Sequence, residues 1–217
     1  MAETFFVDGK YLTPEQCKEI FGIPKKLENR QRKCLEMIEG NLIIDIGCYA
    51  GGFIAEAQNK FPGKKFIGVD YSYENIKIAK FIYPNLQNHF INMSVYTLGF
   101  EDNSVDCITF QEVIEHLEGA AMALKEINRV LKPGGTLIVS TNNAYYWRDK
   151  WLFYFAEIKN RLRSILHKPT TLKSVIYFDN VEWNRHIYCW TPSTLMTLLN
   201  TNGFEYIKHE YSGEARN

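Results

Sequence analysis

Three features of the sequence predict an α/β chain with a mostly parallel sheet covered by helices on both faces. First, short and nearly continuous apolar runs recur from Asn41 onward and alternate with segments of helical periodicity. Strands buried on both faces read this way, and parallel pairing requires a crossover, usually a helix, between them. Second, "IIDIGCYAGGF" (residues 43–53) runs from a strand pattern through a glycine-rich bend into a helix. Third, the next strand, "KKFIGVD", ends on the acid Asp70. With 217 residues and 46% hydrophobic content, the chain is long enough for one domain with a sizeable core.

The elements follow in order. Residues 1–40 read as two short amphipathic helices, Pro14–Phe21 and Lys26–Ile38, with Thr13 as N-cap and Pro14 at the first helical position. "NLIIDIG" is the first strand of the alternating region and "GFIAEAQNKF" a helix. "KKFIGVD" is the second strand, and "SYENIKIAKFIY" a helix capped by Ser72, with Glu74 in its first turn. "NHFINM" and "VDCITF" are strands three and four. "GAAMALKEINRVL" carries apolar residues at three- and four-residue spacing, "LKPGG" is a turn, and "TLIVST" is the fifth strand. The alternation then breaks into an aromatic and basic excursion, "NAYYWRDKWLFYFAEIKNRLRSILHKPTTLKSVIYFDNV". A helix resumes at Thr191–Pro192 and closes at Gly203, and "FEYIKHEYS" reads as a final strand. The whole is one domain: N-terminal helices (1–40), a central core (41–142), an insertion (143–190) and a C-terminal helix and strand (191–217).

Charge and composition exclude several classes. Lys+Arg 25 balance Asp+Glu 25, whereas proteins that grip long stretches of nucleic acid usually carry a basic excess, so no nucleic-acid partner is expected. The five scattered cysteines include no CxxC pair and read as reduced, buried thiols. The N-terminus has no basic region followed by an apolar run, and nothing approaches the ~18 apolar residues of a membrane span. A cytoplasmic protein is expected.

In an open parallel sheet, ligands bind beyond the carboxyl ends of the strands, where the strand order reverses. The bend after the first strand of the core lies there, and Gly47, Gly51 and Gly52 permit positive φ and close backbone approach. A dinucleotide fingerprint needs G-x-G-x-x-G so that backbone can touch a pyrophosphate. Here the string is G-C-Y-A-G-G, and Tyr49 stands where the second glycine would be, which favours a ligand without a pyrophosphate. Asp70, at the tip of the second strand, suits the hydroxyls of a ribose.

These residues together resemble the class I S-adenosylmethionine-dependent methyltransferases, whose fold is Rossmann-like. The family's acid and glycine-rich loop are matched by Asp45, Gly47 and Gly51, and its ribose acid by Asp70. "LGFEDNSVD" matches its segment before strand four, and "EINRVLKPGGTLIVST" follows the family's form closely. "HIYCWTPSTLMTLLNTNGF" resembles the segment after the insertion in members that act on sugars, lipids and quinones. The resemblance covers residues 41–142 and 186–204. It implies S-adenosyl-L-methionine as cofactor, held by Asp45, Gly47, Cys48, Tyr49, Gly51, Asp70, Tyr71 and Gln111. Tyr49 packs on, or shields, the methionine portion. Ser94 and Val95 of "NMSVY" stand where many relatives have an acid near the adenine.

Methyl transfer is an in-line displacement, and a hydroxyl acceptor also needs a base. His116, after strand four, is the expected base, and His186 the expected acceptor-positioning residue. Glu112, Glu115 and His116 form Glu-x-x-Glu-His, which with His186 could instead ligate a divalent metal, as in metal-assisted RNA or quinone O-methyltransferases. The preferred reading has no metal. "YYWRDKWLFYF" holds seven aromatics among its eleven residues, and the insertion is expected to form the acceptor pocket or a lid, with the N-terminal helices folding over the cofactor. "KNRLRSILHK" suits a phosphate or carboxylate on the acceptor, or weak membrane-surface contact. The expected function is O-methylation of a small molecule such as a saccharide, glycolipid or related metabolite. The alternatives are the metal-assisted enzyme and a non-catalytic cofactor-binding module. Relatives usually add one more strand after the last one here, so the resemblance implies either a truncated chain or an edge covered by a partner such as a second copy.

Overall fold

The computed structural model describes residues 4–7, 9–22, 27–143 and 188–211. Five parallel strands form the sheet: β3 (Leu42–Ile46), β4 (Lys65–Asp70), β5 (Phe90–Asn92), β6 (Val105–Gln111) and β7 (Leu131–Ser140). Their spatial order is β5-β4-β3-β6-β7. Register runs Ile44 to Ile67 on one side of β3 and Ile44 to Ile108 on the other. The chain leaves β3 in one direction to build β4 and β5, then returns across it to build β6 and β7. The switch point therefore lies at the carboxyl ends of β3, β4 and β6.

Side chains alternate along the strands, so the sheet buries two faces. Ile44, Ile46, Val69, Ile108 and Phe110 face one helix layer. That layer contains α5 (Ala120–Val130), whose buried stripe is Ala123, Leu124, Ile127 and Val130, and α6 (Pro192–Thr201), whose Leu195, Leu198 and Leu199 pack at its edge. Ile43, Phe66, Cys107 and Ile138 face the other layer, built from α2 (Asn29–Glu36), α3 (Gly52–Lys60) and α4 (Tyr73–Ile82). Ile43, Ile44 and Ile108 are fully buried; cutting any one to alanine should cost about 2–5 kcal/mol.

The caps are those the sequence predicts. Ser72 accepts from the N–H of Asn75 at the start of α4, and Thr191 from that of Thr194 at the start of α6. α1 (Pro14–Phe21) opens on a capping box between Thr13 and Gln16. The "LKPGG" turn survives as a break within β7. Leu131 pairs with Val105, the register slips where Pro133 has no N–H and Gly134 takes φ 78°, and pairing resumes at Thr136 with Cys107.

Three expectations need correction. The N-terminal region also holds an antiparallel hairpin, β1 (Phe5–Val7) with β2 (Lys10–Leu12), whose Phe5 and Val7 pack with Cys17 and Ile78 in a small third core. The second helix is Asn29–Glu36, shorter than 26–38. Residues 204–211 form no strand. A strand is stabilised by a neighbour and a face to bury, whereas residues 205–211 are exposed throughout. Lys33 of α2 holds this segment instead, donating to Glu210 Oε2 at 2.8 Å and to the Tyr211 carbonyl at 3.3 Å. The aromatic and basic stretch of the insertion, 144–187, and His186 with it, lie outside the described residues. Among the described residues, no helix is long and apolar enough to cross a membrane.

Candidate active site

The bend after β3 turns its amides inward. The N–H groups of Gly47 and Cys48 donate to the Val69 carbonyl at 2.8 and 3.1 Å, and the Tyr49 N–H donates to Asp70 Oδ2 at 2.9 Å. Three successive donors are thus engaged by β4 and its tip, where a phosphate-binding loop would aim them at a ligand. Gly47 has φ 81°, and a Cβ there would stand 2.3 Å from Val113 Cγ2. Gly51, also at φ 81°, precedes α3 as its N-cap, and a Cβ would meet the Phe90 ring at 2.6 Å. Tyr49 takes φ 50°, a left-handed conformation that costs a non-glycine residue about 1–2 kcal/mol. Its ring meets that of Phe21, the last residue of α1, edge-on at 5.5 Å between centroids.

At the tip of β4, Asp70 Oδ1 accepts from the Ser72 N–H at 2.8 Å and the Asn75 side-chain amide at 3.2 Å. With Tyr49 on Oδ2, three of about four acceptor positions on the carboxylate are taken, and the fourth, on Oδ2, remains. Asn92 Nδ2 fixes the backbone here through the carbonyls of Asp70 and Tyr71. The Tyr71 ring stands 85% exposed at the rim.

Asp45, on β3, is buried. Thr109 Oγ1 donates to its Oδ1 at 2.6 Å, and Gln111 Nε2 lies 3.5 Å from the same oxygen. Burial pushes its carboxyl up to about 7, against the lowering effect of those two bonds. Burial likewise pushes the Cys48 thiol far up, so Cys48 is a packing thiol and no nucleophile. Gln111 Oε1 is buried with no hydrogen-bond partner among the described residues, an acceptor that a ligand donor would satisfy.

Beyond β6, Glu112 takes φ 52°. Its Oε1 accepts from Ser140 Oγ at 3.2 Å and lies 2.9 Å from Arg30 Nη1 of α2. A short 3-10 turn, Ile114–His116, follows. Glu115 is fully buried, with Oε2 accepting from Thr141 Oγ1 at 2.9 Å. Burial, and then the Glu112 charge, raise its carboxyl above the usual range. Among the described residues, no group of three or more His, Cys, Asp or Glu is placed to hold a metal ion.

These strand ends share one cavity of about 1070 Å³. Of the expected site residues, Asp45, Gly47, Cys48, Tyr49, Asp70, Tyr71, Val95, Gln111 and His116 line it. Gly51 does not line it. Nor does Ser94, whose hydroxyl accepts from the Tyr96 N–H at 3.2 Å within its own turn. Met93 lines the wall in its place. The N-terminal helices do fold over the cavity, bringing Phe21, Leu27, Arg30 and Gln31 to its wall. The sequence does not single out Arg30: a basic residue on a short amphipathic helix gives no sign of the face it turns inward.

The methyltransferase domain model matches residues 44–139, the stretch that builds the bend, the acid tip and the His116 turn. Over those residues the chain carries a methyltransferase domain. A demethylmenaquinone methyltransferase of Chlorobaculum tepidum is 30% identical over 145 residues, 65% of this chain and 58% of that one. A ubiquinone biosynthesis O-methyltransferase of Alkalilimnicola ehrlichii is 30% identical over 131 residues, 59% of this chain and 52% of its own. The chain thus spans little more than half the length of these two curated relatives. A methyltransferase of Thermotoga maritima matches in fold, with a TM-score of 0.60 at 19% identity over 87% of this chain and 76% of that one. The methyltransferase domain implies S-adenosylmethionine as cofactor, and the parallel sheet between two helix layers is the Rossmann-like arrangement expected of it.

Proposed function

We propose that this chain methylates a hydroxyl of a small molecule, using S-adenosylmethionine, on a saccharide, glycolipid or related metabolite. One observation carries the reading: the ends of β3, β4 and β6 bring a free Asp70 acceptor, the orphaned Gln111 Oε1 and His116 to a single cavity. The wall fits an adenosyl amino acid. Asp70 Oδ2 suits a ribose hydroxyl, Gln111 and Asp45 an ammonium, Arg30 a carboxylate, and Val95 with Met93 an adenine ring. When bound, the cofactor supplies a methyl group on a sulfonium, which leaves as a neutral thioether.

The residues of this chain then orient and accept a proton. His116, exposed at the end of its 3-10 turn, would take the acceptor's hydroxyl proton on a ring nitrogen as the new carbon–oxygen bond forms. The Tyr49–Phe21 contact holds the bend against the end of α1 beside the cavity. No step needs a metal, since Glu112 is already engaged by Arg30 and Ser140.

A second reading, methylation of a quinone-type ring, is favoured by the names of the two curated relatives. Incubation with methyl-labelled cofactor and a panel of sugars, glycolipids, quinones and RNA separates them. Label on a saccharide or glycolipid supports the proposal, label on a quinone ring moves the second reading ahead, and label on RNA alone overturns both.

A further inference from the structure

The 3-10 turn that carries His116 is short and weakly held by itself. Its internal bonds are the His116 N–H to the Val113 carbonyl at 2.9 Å and the Leu117 N–H to the Ile114 carbonyl at 3.4 Å, and a single such turn has little stability of its own. The chain enters it through Glu112 in the left-handed region. Something else must fix the place of an exposed histidine at the cavity.

We propose that Glu115 is a positioning residue that ties the His116 turn to the two segments flanking residues 144–187. Its side chain is fully buried, and its Oε2 holds Thr141 Oγ1 at 2.9 Å, just past β7. Its main-chain carbonyl accepts the Tyr188 N–H at 3.1 Å. The Tyr188 hydroxyl donates to the Glu118 carbonyl at 3.4 Å, and its ring lies against that of Trp190 at 5.5 Å. Trp190 in turn pairs with Asn143 in a parallel bridge. One residue thus joins the end of β7, the start of the segment that leads into α6, and the turn presenting His116. Because the buried side chain holds Thr141 and sets the position of the carbonyl that Tyr188 meets, cutting it to alanine removes the first bond and loosens the second.

The test uses the full chain saturated with S-adenosylhomocysteine, in the variants E115A, E115Q and T141V. The readouts are the His116 ring Cε1–H signal by NMR, assigned by its loss in H116A, and backbone hydrogen exchange. Glu115→Ala and Thr141→Val should shift and broaden the ring signal. They should also speed exchange at the His116 and Tyr188 amides by about 10-fold or more, as expected when a buried bond is lost. Glu115→Gln keeps the volume and an oxygen for Thr141, so it should restore the native ring signal. An unchanged ring signal in both Glu115→Ala and Thr141→Val overturns the proposal, as does a Glu115→Gln protein as disturbed as Glu115→Ala. Should Glu115→Ala not fold, Thr141→Val with Glu115→Gln decides by the same signals. Affinity for S-adenosylhomocysteine should stay at the wild-type value, and a parallel loss in the folded variants would mean general destabilisation and reject the local tie. The functional meaning rests on His116 as proton acceptor; failure of that reading appears separately, as undiminished methyl transfer in H116A.

Discussion

The Tyr49 N–H donates to Oδ2 of Asp70 across 2.9 Å, so the acid at the tip of β4 also anchors the bend after β3. Ser72 and Asn75 hold the other carboxylate oxygen. One side chain therefore sets the bend, starts α4 and keeps a single acceptor position toward the cavity. This explains why a tyrosine is tolerated where a dinucleotide loop needs glycine: its amide is committed to Asp70, and its ring to Phe21.

Gly47→Ala should destabilise the fold. The new Cβ would stand 2.3 Å from Val113 Cγ2 at a φ of 81°, combining left-handed strain with overpacking. Thermal unfolding should move down by roughly 5–15 °C. An unchanged midpoint would mean that the bend is not held as described.

Asp45→Asn should have a pH-dependent effect. Burial raises the Asp45 carboxyl from 3.8 to about 7, so across that window the folded state binds more protons than the unfolded state. The contribution of Asp45 to stability is present below 3.8 and is lost as pH rises to about 7. Asparagine keeps an oxygen for Thr109 and carries no charge. Its stability relative to the wild type should therefore improve by about 2–3 kcal/mol between pH 5 and pH 8. Urea unfolding at the two pH values measures this, and an equal difference at both would show that Asp45 is not a buried, destabilised charge.

His116→Ala should lower kcat by about 10²-fold while affinity for S-adenosylhomocysteine is kept. Steady-state kinetics with an acceptor found in the labelling panel checks it. An undiminished kcat removes His116 from the chemistry and leaves alignment as the explanation.

Dialysis against a chelator should leave methyl transfer intact, because Arg30 and Ser140 occupy Glu112 and Glu115 is buried against Thr141. Loss of activity, restored by one divalent ion, would make Glu-x-x-Glu-His a metal site.

The sequence shows the core plainly because its strands are buried on both faces and its helices are capped by recognisable residues. The bounds of α1 follow directly from Thr13–Pro14, and those of α6 from Thr191–Pro192 and Gly203. The hairpin Phe5–Leu12 is missed because its strands have three residues each, too few for periodicity; the signal that could reveal it is Asp8–Gly9, a hairpin-turn pair, with Gly9 at φ 81°. "FEYIKHEYS" misleads for the opposite reason: its alternation is clear, but alternation cannot report that no neighbouring strand is there to pair. At the site, Asp45, Asp70 and Gln111 line the cavity because topology places strand ends together. Ser94 lies off the cavity, its hydroxyl bonded within its own turn.

The central claim is that the cavity at the ends of β3, β4 and β6 holds S-adenosylmethionine through Asp70. Calorimetric titration of the wild type and of Asp70→Ala with S-adenosylhomocysteine, beside an NADH control, tests it most directly. The account predicts one site of roughly micromolar affinity in the wild type, weakening by about 10-fold or more in the variant, and no saturable heat with NADH. Equal affinity in both proteins, or saturable binding of NADH, would contradict it.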